Sequence, residues 1–428
     1  MHNKRIVAFT AIILALNTSH LQAQSQPADT LKLTVKEAEE RFIKKNLQLI
    51  VAHYNIDNAQ AQVITTRLFP NPDLNISNVL YNKDTKKVLD FSRGGGEYTV
   101  GLSQLFTTAG KRNKNIKLAQ LSVELARDQF FDLLRTLKLT VRDDFFTIYF
   151  QQESAKVYDQ EISSLNNILI AYKEQYAKGT IAEKEVLRIQ SQLYSLQAEL
   201  ASLLVNIAST QAQLNLLIGM SPSTILNPVY NYDLDGKKVL SAIPYRKLLD
   251  SAYVNRYDLQ AARSTIDYNN LNLRLQKSIA VPDFTVGLSY DKQASYIKDY
   301  TGVSIDFPLP FFNRNQGGIK QARIAIDQGK VQLENQQNQV ESDVASNYTI
   351  ALQYENTYNS FDQKFKGDFT HLIGEVFINY KKRNISLLEF LDFYDSYKVN
   401  AVQLNSVQLN RVTSLEQLNF VTGTPFFN

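Results

Sequence analysis

Apolar residues recur along this chain at two periods, and the switches between them divide it into elements. In residues 73–81, Leu74 and Ile76 alternate with Asn75 and Ser77. Residues 97–106 alternate through Tyr98, Val100 and Leu102, and residues 283–291 through Phe284, Val286, Leu288 and Tyr290. Residues 300–308 alternate through Thr301, Val303, Ile305 and Phe307, against Gly302, Ser304 and Asp306. A period of two puts successive side chains on opposite faces, so these are four predicted strands, each with one apolar and one small or polar face. Elsewhere the period is helical. From about Lys111 to Lys178, and from about Arg314 to Lys382, there is no proline, and continuous helices of that length would run about 100 Å. Turns at Lys178-Gly179-Thr180 and Arg383-Asn384 fold each back, giving predicted antiparallel coiled-coil hairpins over about 111–218 and 314–421. In the first returning helix Ile189, Leu193, Leu196, Leu200, Leu203, Ile207, Leu214 and Leu217 follow steps of four and three, with Thr210 in the vacant position. Such a heptad seam requires a partner helix.

The same order of elements occurs twice. Residues from Glu37 to Ile76 overlay those from Lys247 to Val286 at a constant shift of 210, matching Leu49 with Leu259, Ile56 with Ile266 and Pro72 with Pro282. Tyr176, Ile181, Leu214 and Gly219 match Tyr380, Ile385, Leu418 and Gly423 at a shift of 204. Residues 24–428 are therefore expected to form one duplicated protomer, with repeats over about 34–219 and 243–423 and a linker around Ser221 to Pro244. A helix opens the first repeat at Thr34 to Glu37, a capping-box pattern, and Pro72 and Pro282 are expected to stop the helix in each repeat.

Residues 1–23 carry Lys4 and Arg5, then a short apolar run from Ile6 to Leu16, then Ala23. That order is expected of a secretory signal peptide, and the run is too short to cross a bilayer. Formal charge is +4 for the whole chain and +2 without Lys4 and Arg5, which offers no net field for nucleic acid. There is no Cys and no Trp. Disulfides, thiolate metal sites and a cysteine-borne lipid anchor are excluded. Beyond the leader only His53, His371 and Met220 remain as soft or borderline ligands, too scattered for a transition-metal site. No nucleophile–base spacing and no phosphate-binding loop is present, so no catalytic residue, cofactor or metal is expected; Gly94 to Gly96 fall in a predicted hairpin loop. Mean hydropathy of -0.26 argues against a helical membrane protein.

Strand length separates two readings. Strands of about nine residues with one apolar face suit a transmembrane β-barrel; two soluble hairpins packed on helices are the alternative. Four strands cannot close a barrel, and an open edge is not tolerated in hydrocarbon. In the barrel reading several copies must share one barrel.

The chain resembles the TolC-type outer membrane factors of tripartite efflux and secretion systems. The resemblance is carried by the duplicated halves, the helix–proline–hairpin–long-hairpin order, and the tip pattern Tyr176-Ala-Lys-Gly179-Thr-Ile. Leu102 to Phe106 with Gly110-Lys111-Arg112, and Phe307 to Phe312 with Arg314 and Gly317, look like the cobalt-zinc-cadmium efflux branch. The resemblance implies a mainly α fold with a small β part, and a homotrimer with a 12-stranded barrel and a 12-helix periplasmic tunnel. It further implies a place in the outer membrane, contact with its lipid, and docking to a periplasmic membrane-fusion adaptor and an inner-membrane RND-type pump. The function implied is a passive duct for export, of heavy-metal cations in this branch, with drug efflux and type I protein secretion as alternatives. A soluble periplasmic coiled-coil adaptor and an exported hydrolase are the rivals from other classes.

By the same resemblance, a periplasmic constriction is expected at Glu185, Tyr380, Glu389 and Asp392. Adaptor docking is expected at Gly179, Thr180 and Ile181 on one tip and at Arg383, Asn384, Ile385 and Ser386 on the other. Ile385 stands where the family gate carries a basic partner. Carboxylate rings repeated by symmetry would attract cations, though solvated helix carboxylates would read the same in sequence.

Overall fold

The first helix begins at the predicted capping box. The Thr34 N–H donates to Glu37 Oε2 at 2.8 Å and the Glu37 N–H donates to Thr34 Oγ1 at 3.3 Å, a reciprocal pair that satisfies two orphan donors. The computed structural model describes residues 30–92, 95–230, 240–294, 297–361 and 365–427. The expected leader from Met1 to Ala23, Gly94, and residues 231–239 of the expected linker lie outside them. The elements are β1 (Thr30–Thr34), α1 (Val35–Lys45), α2 (Leu47–Arg67), β2 (Asp73–Asn78), β3 (Tyr81–Asn82), β4 (Lys87–Val88), β5 (Tyr98–Phe106), α3 (Lys111–Ala177) and α4 (Glu183–Leu217). There follow β6 (Ile225–Val229), α5 (Tyr245–Asn255), α6 (Tyr257–Ile279), β7 (Phe284–Asp291), β8 (Tyr300–Asp306), α7 (Gln316–Ser360), α8 (Phe365–Lys381) and α9 (Leu387–Thr422). The fold is mainly α with a small β part. No helix among the described residues is long and apolar enough to cross a membrane. The described residues divide into two compact units, drawn from the stretches 30–44, 144–230 and 373–405, and from the stretches 45–143, 240–372 and 406–427.

The second unit holds an antiparallel sheet in the order β2-β5-β7-β8. Its register sorts side chains cleanly by face. Leu74, Leu102, Leu288 and Val303 form one cross-strand row, and Ile76, Val100, Tyr290 and Thr301 the next. On the opposite face Asn75, Gly101, Ser289 and Gly302 form a row, as do Asp73, Ser103, Gly287 and Ser304. Leu74, Ile76, Leu102, Leu288, Val303 and Ile305 are all exposed. A soluble hairpin packed on helices would have covered that face. Aromatic pairs bound it: Tyr98 and Tyr290 at one end with centroids 6.0 Å apart, Phe106 and Phe284 stacked at 5.4 Å at the other. Between them β5 runs about 26 Å at about 3.3 Å per residue.

The strands are shorter than their sequence pattern suggests. The first stops at Asn78, because Tyr81–Asn82 pairs with Lys87–Val88 in a small sheet of its own. The last stops at Asp306, ahead of Pro308 and Pro310, which have no N–H to donate. In the first repeat α2 ends at Arg67, with Leu68 extended at ψ 148. Pro70, two residues before Pro72, is the nearer barrier there, whereas α6 ends at Ile279 ahead of Pro282. The corner after β5 is tied across the chain. The Thr108 hydroxyl donates to Pro282 O at 2.7 Å, and Lys111 Nζ pairs with Asp283 at 2.8 Å.

Two features depart further from the pattern. The stretch from 314 to 382 is not one helix: α7 ends at Ser360, Phe361 is extended (φ -73, ψ 129), and helix resumes at Phe365. The Ser360 hydroxyl donates to Thr357 O at 2.6 Å, competing for a backbone acceptor at the end of the helix. Within the expected linker, β6 pairs in parallel with β1 in the first unit, and Leu226 and Leu33 are buried there. Gln152 and Gln211 both donate to Leu226 O, at 2.9 and 3.0 Å.

Each repeat also breaks its first helix at one point. Asn46 caps α2 by accepting from the Leu49 N–H at 3.0 Å. Arg256, 210 residues on, is buried at the break between α5 and α6 and holds Asp258 at 2.6 Å and Asp343 at 2.8 Å. On α4 the predicted seam is the packed side, with Ile189, Leu193, Leu196, Ile207, Leu214 and Leu217 buried.

Gly179 and Gly423 both lie at positive φ, 71° and 66°. A Cβ on Gly179 meets nothing, whereas one on Gly423 would lie 2.9 Å from Asn255 O. Gly179→Ala is expected to cost about 1 kcal/mol through the left-handed backbone alone. Gly423→Ala should cost about 1–3 kcal/mol more, through overlap with fixed backbone. Thermal unfolding of the two variants in detergent measures the difference.

Candidate functional site: the helix tips

The tips belong to the first unit, where α3 turns into α4 and α8 into α9. At the first, the Gly179 N–H donates to Tyr176 O at 2.8 Å and the Thr180 N–H to Gln175 O at 3.0 Å. This Schellman closure satisfies the last carbonyls of α3 and needs a left-handed residue. At the second, the Arg383 N–H donates to Tyr380 O at 2.9 Å and the Asn384 N–H to Asn379 O at 2.9 Å. The hydrogen bonds are the same, yet Arg383 adopts φ 61, a conformation costing a side-chain-bearing residue about 1–2 kcal/mol.

Beneath the turns lies a core of Leu165, Ile168, Leu169, Val186, Ile189, Leu387 and Phe390, with Ile181 and Ile385 packed against it. Of the seven tip residues singled out from sequence, these two isoleucines therefore turn inward. Gly179, Thr180, Arg383, Asn384 and Ser386 are exposed. Tyr380 also joins the core. Its OH donates to the Tyr172 OH at 2.5 Å, and its ring stacks on Phe390 with centroids 4.4 Å apart. Burial, the Tyr172 hydrogen bond and the nearby Glu185 charge all push its hydroxyl pKa up, so it is a neutral donor throughout the physiological range.

The three acids have different surroundings. Glu185 lies half-buried in the first turn of α4, within electrostatic reach of Tyr380. Glu389, its counterpart 204 residues on, is engaged in a second capping box. The Ser386 N–H donates to Glu389 Oε2 at 2.8 Å and the Glu389 N–H to Ser386 Oγ at 3.2 Å, which holds the Glu389 carboxyl below its usual pKa. At the first tip Ala182 occupies the N-cap with no side-chain bond, so Glu185 has no capping duty. Asp392 is exposed one turn beyond Glu389.

Sequence inspection missed a charged cluster around the buried Lys398 and Glu161, farther along the same helices. Lys398 Nζ lies 3.1 Å from Glu199 and 3.0 Å from Asp395, and the Tyr158 OH donates to Glu199 at 3.1 Å. Glu161 is buried beside them, and its Oε1 has no partner among the described residues. Burial pushes its carboxyl from 4.5 up to about 8; Lys398 opposes the shift, and Asp395 and Glu199 add to it. The signal was present in the helical spacing, since Glu161 falls on the same stripe as Tyr158, Leu165, Ile168 and Tyr172. Among the described residues no group of three His, Cys, Asp or Glu could hold a metal ion.

Two stability measurements probe these sites. Ser386→Ala, which removes half of the second box, should cost about 1 kcal/mol. Glu161 retains in the folded chain a proton that the unfolded chain releases between its ordinary 4.5 and about 8. Stability supplied by the protonated form therefore falls as pH rises through that window and levels off above it. Glu161→Gln should raise the melting temperature by a few degrees at pH 9 and leave it nearly unchanged at pH 4, as read by thermal unfolding at the two pH values.

The sequence pattern of the outer membrane efflux protein family matches residues 40–220 and 248–363, well over half of the chain. The cobalt-zinc-cadmium resistance protein CzcC of Cupriavidus metallidurans is 23% identical over 290 residues, covering 68% of this chain and 66% of that protein. Outer membrane protein TolC of Escherichia coli is 28% identical over 220 residues, covering 48% and 43% respectively. The matches thus span just under two thirds and under half of the lengths of these relatives. A crystal structure of CusC, solved in connection with its folding and transmembrane channel formation, superposes with a TM-score of 0.72 at 17% identity, covering 94% of this chain and 96% of that one. With its family pattern matched in both repeats, the chain belongs to the outer membrane efflux protein family, and its place is the outer membrane, with an extension into the periplasm.

Proposed function

We propose that three copies of this chain close one 12-stranded barrel in the outer membrane and act as the passive export duct of a tripartite efflux system. The observation that carries this reading is the four-stranded sheet, exposed and apolar on one face, small and polar on the other, with free edges at β2 and β8. A barrel built from it has a lipid-facing exterior and a wet lumen. The helices support assembly as well. Leu187, Tyr194, Leu204 and Val205 on α4 are exposed off the packed seam, leaving an apolar face for helices of a second copy in a shared 12-helix tunnel.

The exposed tip residues Gly179, Thr180, Arg383, Asn384 and Ser386 are the surface offered to a periplasmic membrane-fusion adaptor, and through it to an inner-membrane RND-type pump. Arg383 in a left-handed turn that glycine would fill more cheaply supports a role outside the turn itself. Glu185, Glu389 and Asp392, repeated threefold, form acidic rings near the tips that favour cations. Ile385 and Tyr380 brace the tip from inside. Heavy-metal cations are the proposed cargo, a reading supported by these acids and by the likeness to a protein named for cobalt-zinc-cadmium resistance. With so few soft ligands in the chain, metal selectivity belongs to the partners.

Two results are expected. Outer-membrane fractions should yield a detergent-stable trimer, and recovery as a soluble monomer would end the duct reading. In planar bilayers, Asp392→Asn combined with Glu389→Gln, which preserves the capping pattern, should move the reversal potential under a salt gradient toward zero. An unchanged reversal potential rejects these acids as a cation filter.

A further inference from the structure

β5 and β8 run in the same direction, antiparallel to β2 and β7. Phe106 and Asp306 at their ends therefore lie at the same end of the sheet as Asp73 and Phe284, where β2 and β7 begin. All the segments joining strands to long helices gather at that rim. They carry large apolar side chains that the protomer leaves largely exposed. Phe69 is 72% exposed, Phe312 is 95% exposed, and Leu309 and Phe311 between Pro308 and Arg314 are exposed too. The lipid-facing rows of the sheet run into them through the Phe106–Phe284 stack, and Phe307, just beyond the end of β8, is exposed as well.

The rim is also cationic in a selective way. Lys111 is buried and paired with Asp283. Arg112, Lys114 and Arg314 form no ion pair among the described residues. The Arg112 guanidinium lies 4.2 Å over the Phe69 ring and donates to Arg67 O. Lys114 Nζ donates to Ala109 O at 2.6 Å. Arg314 is exposed beside Phe311 and Phe312, and its guanidinium contacts Phe311 O at 3.5 Å. Asp73 and Asp306 are exposed at the same rim but pair with none of these cations among the described residues, and exposed aromatic rings with unpaired cations beside them match a layer that is apolar on one side and anionic on the other. Arginine is well suited to phosphate because its planar fork donates two parallel hydrogen bonds.

We propose that this rim binds the phosphate headgroups of the periplasm-facing phospholipid leaflet of the outer membrane, with Phe311 and Phe312 wedged among the upper acyl chains and Arg112 and Arg314 on the phosphates. The inference rests on the chain spanning the membrane as a barrel sector.

The absence of Trp from the chain makes single-Trp reporters straightforward. Full-length Phe312→Trp and Val303→Trp proteins are reconstituted into phosphatidylcholine vesicles with acyl chains brominated either near the headgroup or near the chain end. Phe312→Trp should be quenched more by the shallow bromines, and Val303→Trp, in the middle of β8, more by the deep ones. If Val303→Trp is quenched and Phe312→Trp is not, the rim faces water or a second copy and the proposal is overturned. If neither is quenched, it is the barrel reading that fails. In a second arm, native mass spectrometry counts phosphatidylglycerol retained by detergent-solubilised protein. Retention should fall about fivefold for each cation removed by Arg112→Gln and Arg314→Gln, and equal retention overturns the headgroup assignment.

Discussion

In hydrocarbon an unpaired strand edge leaves every N–H and C=O on it without a partner, at several kcal/mol per group. The sheet in the order β2-β5-β7-β8 has two such edges, and one of its faces is already apolar enough for lipid. A single copy cannot satisfy both facts. In the proposed barrel the edges meet those of other copies, and the lumen, symmetry and shared helical wall of the proposed duct follow from that pairing. Small residues on the inner face serve the same end. Ser304 already stands where a Cβ on Gly287 would be, 2.5 Å away, so this face has little room for larger side chains.

The tips show how one structural solution can be reached with different residues. Both turns close through the same pair of hydrogen bonds, one around Gly179 and the other around Arg383. Their N-caps differ in the opposite sense, since Ser386 holds Glu389 while Ala182 holds nothing. Matching acids in the two repeats thus have unequal freedom. Glu389 is committed to its own helix, and Glu185 lies within electrostatic reach of the Tyr380 hydroxyl. Deeper in the same helices, Glu161 occupies a core position next to a Lys398 already shared by two other carboxylates. A buried acid with no cation of its own stays neutral by holding its proton, a cost to stability at high pH that packing alone does not require.

Much of this was legible in the residues because period and punctuation are local. Alternation from Phe284 to Tyr290 marked a strand, fours and threes from Ile189 to Leu217 marked the packed side of α4, and Thr34 with Glu37 marked a helix start. Errors arose where competing local signals or distant partners decided. Pro70 acted before Pro72. A helix that lacks proline ended at Ser360, whose hydroxyl bonds back to Thr357 O. Ile225 to Val229 became a strand because β1, nearly 200 residues earlier, lies beside it. The site was legible in part: the tips were located, but the inward turn of Ile181 and Ile385, the Tyr172 partner of Tyr380 and the capping duty of Glu389 were not.

The sequence by itself determined the element types and their order, the apolar and polar faces of the strands, and the exclusion of thiol chemistry, because these depend on residue type and on spacings of a few positions. Only the tertiary structure decided which acids are free, which tip residues face outward, and that the apolar strand face is left uncovered. Those outcomes depend on pairs such as Lys398 with Glu199 and Thr108 with Asp283, whose members stand far apart along the chain and meet only when the helices and strands have packed.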